Sequence, residues 1–131
     1  MPHAAWSFSA ARETPMQARR AVVDWARGYV EDRAVLNDIA LAITEATTNA
    51  VLHAYRDRPD PGTVTVAAER FDDHVCLYVR DEGTGLAPRV DSPGLGLGLG
   101  LIAQVADSAD VRAPEDGGTE VVMRFSISRA A

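Results

Sequence analysis

The sequence predicts an α+β fold: a two-layer sandwich in which a mixed, mostly antiparallel sheet carries its helices on one face. Apolar residues recur at helical spacing over two consecutive stretches, residues 14–28 and 33–54, and then change to strand alternation over residues 63–79. Since the helices are grouped rather than alternating with strands, a doubly wound parallel sheet is not expected. The 131 residues, 47% of them hydrophobic, fit one domain over 1–131 with one core.

The first predicted elements are a short strand and a helix. Trp6 and Phe8 lie two residues apart, which places them on one face of a strand near the start of the chain. Thr14, a following proline and Gln17 form the pattern of a capping box with proline at the first helical position. The helix that begins there is expected to end near Gly28.

A second helix is predicted from a cap at Asp32. Its expected apolar stripe consists of Leu36, Ile39, Ala40, Ile43, Ala46 and Ala50. Two prolines and a glycine within residues 56–62 end this helix, because proline cannot donate to the helical hydrogen bonds.

The second half of the chain is predicted to contain two strand pairs with a short helix between them. The first pair forms a hairpin that ends at Asp81, and the helix begins at Leu99, after a glycine-containing stretch. A turn is expected at residues 115–118. The four predicted strands are residues 63–68, 75–79, 109–113 and 121–127.

Composition excludes several classes of function. The net charge of −6 argues against nucleic acid as the main partner, because a polyphosphate backbone normally requires a basic surface. All 13 basic side chains are arginines, so a phosphate-binding loop of the Gly-Lys-Ser/Thr type is excluded. Cys76 is the single cysteine and cannot form an internal disulfide. The sequence shows neither a signal peptide nor an apolar membrane span, which predicts a cytoplasmic protein without membrane attachment.

A carboxylate and an amide stand one helical turn apart on the second helix. Glu45 and Asn49 project from the same face, and His53 extends this row by one more turn. The Asn amide oxygen suits Mg²⁺, and a Glu beside a bound phosphate can act as a general base. For an isolated pair, the polar edge of an amphipathic helix is the more common explanation, so the pair is informative only together with other motifs.

An acidic residue stands where the first hairpin stops. Asp81 is followed by Gly83 and Gly85. A carboxylate at this position can accept a hydrogen bond from the exocyclic amine of adenine, and glycines allow a planar ring to approach the backbone. A plain turn after a strand is the alternative explanation.

A glycine-leucine run begins at Gly94 and could supply amides and a helix N-terminus to phosphate oxygens. It does not match the dinucleotide pattern Gly-x-Gly-x-x-Gly, because the last position is leucine whether the count begins at Gly94 or at Gly96. The alternative, a flexible surface loop, would expose several leucines. Near the end of the chain, two glycines before Thr119 are most simply a hairpin turn.

Taken in this order, the motifs resemble those of the GHKL ATPase superfamily over residues 14–127. The run from Glu45 to Tyr55 is similar to the N box of its anti-sigma-factor serine/threonine kinase branch, and the run from Gly96 to Ile102 is similar to its second glycine box. The resemblance implies the Bergerat, or histidine-kinase-like ATPase, fold with ATP and Mg²⁺ bound. It implies that Glu45 is the catalytic base and Asn49 the Mg²⁺ ligand.

The resemblance also implies the remaining nucleotide contacts. Asp81 would accept from adenine, glycines after it would line the ring, and Thr119 would make a second contact on the adenine side. Phosphate would bind at the glycine-leucine run under a short lid, residues 86–93. The full set of nucleotide-binding residues implied is Asn49, His53, Asp81, Gly83, Gly85, Gly94, Gly96, Leu97, Gly98, Leu99 and Thr119.

Members of this branch are typically homodimers that hold a sigma factor inactive and phosphorylate a serine or threonine of an anti-sigma-factor antagonist. The resemblance therefore implies such a kinase, with these two proteins as partners and without direct nucleic-acid binding. Two alternatives stay open: a nucleotide-gated binding module that transfers no phosphate, and the detached ATP-binding domain of a two-component histidine kinase. The second alternative would require the acceptor histidine on a separate partner chain.

Overall fold

A computed structural model describes residues 3–55, 62–82, 96–115 and 117–128 of the chain. Five strands and three helices lie within these residues. In chain order they are β1 (His3–Ser9), α1 (Thr14–Ala26), α2 (Arg33–Tyr55), β2 (Thr63–Arg70), β3 (His74–Asp81), α3 (Gly96–Val105), β4 (Ser108–Arg112) and β5 (Thr119–Ser126). The predicted order of elements is confirmed.

The five strands form one sheet in the order β1-β2-β3-β5-β4. Each of the four neighbouring pairs is antiparallel. The prediction of a mixed sheet is therefore wrong for the described strands. After β3 the chain passes through α3 to the far edge as β4, and β5 then returns to lie between β3 and β4, which makes every pairing antiparallel.

The helices cover one face of the sheet, as predicted. Helix α2 packs on β2, β3 and β5, α1 packs on α2 and β1, and α3 packs on α2 and β4. Every second side chain of the strands faces these helices and lines the other side of the core. The largest fully buried side chains on the strands include Leu77, Met123 and Phe125. Trp6 and Phe8 are paired with buried residues of β2 and pack partly against the same core. The predicted α+β two-layer sandwich is confirmed.

The predicted capping box at the start of α1 is wrong. Helix α1 includes Thr14, and its N-cap is Glu13, which makes no side-chain capping hydrogen bond. The Thr14 hydroxyl instead donates to the Ser9 carbonyl oxygen at 2.7 Å and accepts from the Ala11 amide at 3.0 Å. Because Thr14 is fully buried, its hydroxyl joins the preceding turn to the helix rather than capping the helix.

The remaining helix boundaries differ less from the predictions. Helix α1 ends at Ala26, two residues before Gly28, because the following turn is closed by hydrogen bonds from the Tyr29 and Val30 amides to the Ala26 carbonyl oxygen. The predicted cap of α2 is confirmed, since the Ala34 amide donates to Asp32 Oδ1 at 2.9 Å. Among the residues of its predicted stripe, Leu36 and Ala40 are only half-buried. The buried face is rotated away from them and includes Val35 and Ala42.

The sheet face opposite the helices carries a tyrosine whose titration is testable. The Tyr78 hydroxyl donates to Glu69 Oε1 at 2.7 Å. Partial burial and this hydrogen bond raise the pKa of Tyr78 above its ordinary value. A raised pKa in the folded state means that the stabilisation is present below the unfolded pKa of about 10 and is lost as the pH rises further.

Replacing Tyr78 by Phe is therefore expected to lower the free energy of unfolding by about 1 kcal/mol at neutral pH, the usual value of one hydrogen bond. Urea unfolding of both proteins between pH 7 and pH 11 measures this difference. We expect the difference to be constant up to pH 9 and to shrink above pH 10. A difference that grows above pH 10 would contradict the assigned direction of the pKa shift.

Candidate functional site

The candidate catalytic row lies on α2. Glu45 and Asn49 are both half-buried, one helical turn apart, and they flank the buried residues Ala46 and Ala50 with which α2 faces the core. Neither side chain makes a hydrogen bond or ion pair to another residue in the described part of the chain. A carboxylate and an amide are thus presented together at the edge of the core and are available to a ligand.

Three threonines of the same turn keep their polar groups within the helix. The hydroxyls of Thr44, Thr47 and Thr48 donate to main-chain oxygens four residues earlier, at 2.8, 2.6 and 2.7 Å. Such hydrogen bonds satisfy the hydroxyl and limit its rotation. The sequence patterns assigned no role to these threonines. Three threonines around a Glu-Asn pair on a helix could have indicated hydroxyls that bond to the main chain. They leave Glu45 and Asn49 as the polar groups with which this turn can bind a ligand.

The second part of the candidate site lies at one end of the sheet. Asp81 is the last residue of β3, Thr119 is the first residue of β5, and the two are directly paired across the strands. Both are buried, with 4% and 5% of their surface exposed. The structure therefore brings together two predicted site residues that are separated by 38 positions in the sequence.

A glycine allows these two strand ends to lie close together. Gly118 has a φ of +83°, and a Cβ at this position would overlap the carbonyl oxygen of Asp81. Neighbouring Gly117 also has a positive φ, of +97°, but no atom lies within 4 Å of where its Cβ would be. The close approach, and not only the turn, therefore requires glycine at Gly118. The sequence indicated a hairpin turn here but not this contact.

The glycine-leucine run enters a helix earlier than predicted. We expected the helix to follow the glycines from Leu99, but α3 begins at Gly96. Fully buried Ile102 and partly buried Val105 anchor this helix in the core, and their packing outweighs the low helix propensity of the glycines. The first-turn amides of α3 have no partner within the helix, which is the feature that the phosphate prediction requires.

Several predicted residues are placed only in part or not at all. His53 lies in α2, and Gly96, Leu97, Gly98 and Leu99 lie in the first turn of α3, but the description does not extend to side chains there. The remaining predicted contacts, Gly83, Gly85 and Gly94, and the predicted lid lie outside the described residues. Their roles stay predictions.

Comparison with known proteins identifies a family for this chain. The family described as "Histidine kinase-like ATPase domain" matches residues 8–125, nearly the whole chain. The chain belongs to this family. Within the described part of the chain, no helix is both long enough and apolar enough to cross a membrane.

Curated relatives of this chain include regulators of sigma factors. It is 29% identical over 100 residues to the anti-sigma F factor of Clostridium novyi, covering 68% of this chain and 69% of that protein. It is 32% identical over 105 residues to the serine-protein kinase RsbW of Staphylococcus epidermidis, covering 69% of this chain and 65% of that protein. The predicted superfamily is confirmed, and these relatives lie in the predicted branch.

Solved structures support the same fold. A Mycobacterium tuberculosis structure that contains RsbU and RsbW domains matches 100% of this chain with a TM-score of 0.77 and 25% identity. This chain spans 34% of that longer chain. The catalytic domain of the histidine kinase ThkA, at 12% identity and a TM-score of 0.59 over 98% of this chain and 100% of that chain, shares the fold alone.

Proposed function

We propose that this chain is an ATP-dependent protein serine/threonine kinase that also acts as an anti-sigma factor. It would bind a sigma factor and phosphorylate an anti-sigma-factor antagonist. The observation that carries the proposal is the Glu45-Asn49 row on α2, in which a carboxylate stands beside an amide and no described residue pairs with it. The names of the anti-sigma F factor and serine-protein kinase relatives support the same function.

In the proposed reaction, Glu45 accepts the proton of a serine or threonine hydroxyl of the antagonist. The hydroxyl oxygen forms a bond to the γ-phosphorus of ATP, the bond from that phosphorus to the bridging oxygen breaks, and ADP leaves with the bridging electrons. Phosphoryl transfer of this kind depends mainly on positioning and charge neutralisation. A half-buried carboxylate on a helix is well suited to positioning the acceptor hydroxyl.

The other site residues would bind the nucleotide and its metal. Asn49 offers one neutral oxygen, which fits Mg²⁺ because this ion commonly combines one or two protein ligands with phosphate oxygens. When bound, Mg²⁺ neutralises phosphate charge. Asp81 and Thr119 form a buried polar pair at the sheet end that can accept from and donate to an adenine ring. The amides at the start of α3 would receive phosphate oxygens.

The adenine contact leads to a specific expectation. Replacing Asp81 by Asn keeps the size of the side chain but replaces an acceptor oxygen with an amide that also donates. We expect the dissociation constant for ATP to rise about 5- to 150-fold, because an unmatched buried polar group costs about 1–3 kcal/mol. Isothermal titration calorimetry with ATP and Mg²⁺ measures this change.

Asp110→Asn is the matched control for this measurement, since Asp110 is exposed on the edge strand β4. Its affinity for ATP should equal that of the unmodified chain. Unchanged ATP affinity in a folded Asp81→Asn protein would remove Asp81 from the nucleotide site.

The kinase proposal is tested by incubating the chain with γ-labelled ATP and a candidate antagonist protein. Acid-stable label on serine or threonine of the antagonist supports the proposal. ATP binding without any phosphoprotein would favour a nucleotide-gated binding module, and acid-labile phosphohistidine on a partner would favour a histidine kinase. A homodimer, a cytoplasmic location and one domain over residues 1–131 belong to the same proposal as predictions.

A further inference from the structure

One buried side chain of α2 carries a hydroxyl that the proposed reaction does not use. Within the described part of the chain, the buried polar or charged residues are Thr14, Thr47, Asp81 and Thr119. Thr14 joins α1 to the turn before it, and two of the others form the polar pair at the end of the sheet. Thr47 is the remaining one, and its side chain is 0% exposed.

Stability does not explain why a hydroxyl stands at this position. Thr and Val have nearly the same shape and similar helix propensities. The neighbouring buried residues of α2, which include Ile43, Ala46 and Val51, are apolar. A buried hydroxyl loses its contact with water, and its hydrogen bond to a carbonyl oxygen four residues earlier slightly destabilises a helix. Valine would therefore suit the core at least as well, and the hydroxyl points to a geometric role.

The Thr47 hydroxyl competes with the main-chain hydrogen bonds of its own turn. It donates to the Ile43 carbonyl oxygen at 2.6 Å, and in an α-helix the same oxygen accepts the Thr47 amide. The hydroxyl also lies 3.2 Å from the Thr44 carbonyl oxygen, which accepts the Thr48 hydroxyl at 2.7 Å. A carbonyl oxygen has two lone pairs, so the added donors weaken and lengthen the helical hydrogen bonds on this side of α2.

The candidate catalytic row lies on the opposite side of the helix. Successive residues of an α-helix are rotated by about 100°, so Thr47 is about 160° away from both Glu45 and Asn49 around α2. A helix whose hydrogen bonds lengthen on one side curves towards the other side. Longer hydrogen bonds at Thr47 therefore curve α2 towards the row and bring the carboxylate and the amide closer together.

We propose that Thr47 is a positioning residue whose hydroxyl curves α2 so that Glu45 and Asn49 converge on one ligand. The proposal rests on the proposed kinase function and deepens it by naming a residue that acts through the base and the metal ligand. In that function, the carboxylate must reach the acceptor hydroxyl while the amide oxygen binds Mg²⁺. Small changes in the separation of these two groups therefore change the rate of transfer.

Two substitutions separate the hydroxyl from the shape of the side chain. Thr47→Val removes the hydroxyl and keeps the shape, whereas Thr47→Ser keeps the hydroxyl. The matched control is Thr65→Val, which makes the same chemical change on the sheet face opposite the helices. Phosphorylation of the antagonist is measured at saturating ATP and varied antagonist concentration, and stability is measured as the urea midpoint of unfolding.

We expect Thr47→Val to lower kcat at least fivefold, with KM for the antagonist within twofold of the unmodified chain. Its urea midpoint should be unchanged or higher, because no packing is lost. Thr47→Ser should keep at least half of kcat, and Thr65→Val should leave kcat and KM unchanged. An unchanged kcat in Thr47→Val, a fall in kcat together with a lower urea midpoint, or an equal fall in Thr47→Ser would overturn the positioning role.

Nucleotide binding gives a readout that does not depend on phosphate transfer. Isothermal titration calorimetry with ATP is carried out in Mg²⁺ and in EDTA. We expect Thr47→Val to weaken ATP binding at least threefold in Mg²⁺ and less than twofold in EDTA, since the substitution moves only the row that contains Asn49. Equal weakening under both conditions would overturn the proposal.

The hydrogen bond itself can be measured by NMR. The coupling across the hydrogen bond from the amide nitrogen of residue 47 to the carbonyl carbon of Ile43 should be larger in Thr47→Val, because the carbonyl no longer accepts a hydroxyl. The coupling from Ala46 to Ala42 is the internal control and should not change. If the chain transfers no phosphate, the larger coupling and the Mg²⁺-dependent change in ATP affinity still support the positioning role, and the kinase proposal alone fails. An unchanged coupling at residue 47 would overturn the positioning role in a chain of either kind.

Discussion

Replacing Glu45 by Gln is expected to lower the rate of phosphate transfer by about two to four orders of magnitude, the usual contribution of a general base. Gln has nearly the same size as Glu but cannot accept the proton of the acceptor hydroxyl. Glu45 is half-buried and makes no contact with another described residue that this change would break. Single-turnover transfer from γ-labelled ATP to the antagonist measures the rate.

ATP binding should change less than threefold in Glu45→Gln, because Glu45 is not among the residues predicted to bind the nucleotide. Asn49→Ala provides the contrast on the same helix, since it should weaken Mg²⁺-dependent nucleotide binding. Glu13→Gln, exposed before α1, is the matched control and should leave both quantities unchanged. Full transfer activity in Glu45→Gln would remove Glu45 as the base and with it the main support for a kinase of this design.

Replacing Gly118 by Ala is expected to give the largest loss of stability. The added Cβ would overlap the Asp81 carbonyl oxygen, and the φ of +83° disfavours any side chain. The left-handed backbone costs about 1–2 kcal/mol and the overlap about 1–3 kcal/mol more. We therefore expect the free energy of unfolding to fall by about 3 kcal/mol, measured by urea denaturation.

Gly117→Ala is the matched control for this change. Its φ of +97° carries a similar backbone cost, but its Cβ would meet no atom within 4 Å. The difference between the two variants isolates the contact with Asp81, which should exceed 1 kcal/mol. In the folded fraction of Gly118→Ala, ATP affinity should also fall, since Asp81 and Thr119 would be forced apart. Equal stability of the two variants would mean that the strand ends adjust without cost.

Much of the fold follows from local patterns. The strands that flank the core alternate between buried and half-buried residues, so their faces could be read directly from the sequence. Asp32 was predicted as a cap because an acidic side chain can reach the nearest helical amides without help from distant residues. The predictions that were wrong depended on distant contacts. The Thr14 hydroxyl forms a hydrogen bond with the turn before α1 instead of capping the helix. Helix α3 begins within the glycines because Ile102 anchors it in the core.

The candidate site, like the fold, has some features that local patterns predict and others that depend on distant contacts. Glu45 and Asn49 could be placed together from sequence because four positions make one helical turn. The pairing of Asp81 with Thr119 and the contact that requires Gly118 could not, since strand register depends on how β3 and β5 meet in the sheet.

Local sequence patterns are enough to predict the residues of the candidate site: a Glu-Asn row on a helix, an acid at a strand end and a glycine-rich helix start. Helical and strand periods relate residues only a few positions apart, and these motifs are local. Which of these residues lie together is visible only in the folded chain, because contacts between distant segments are fixed by the packing of one shared core. That packing pairs Asp81 with Thr119 and leaves room only for glycine at Gly118.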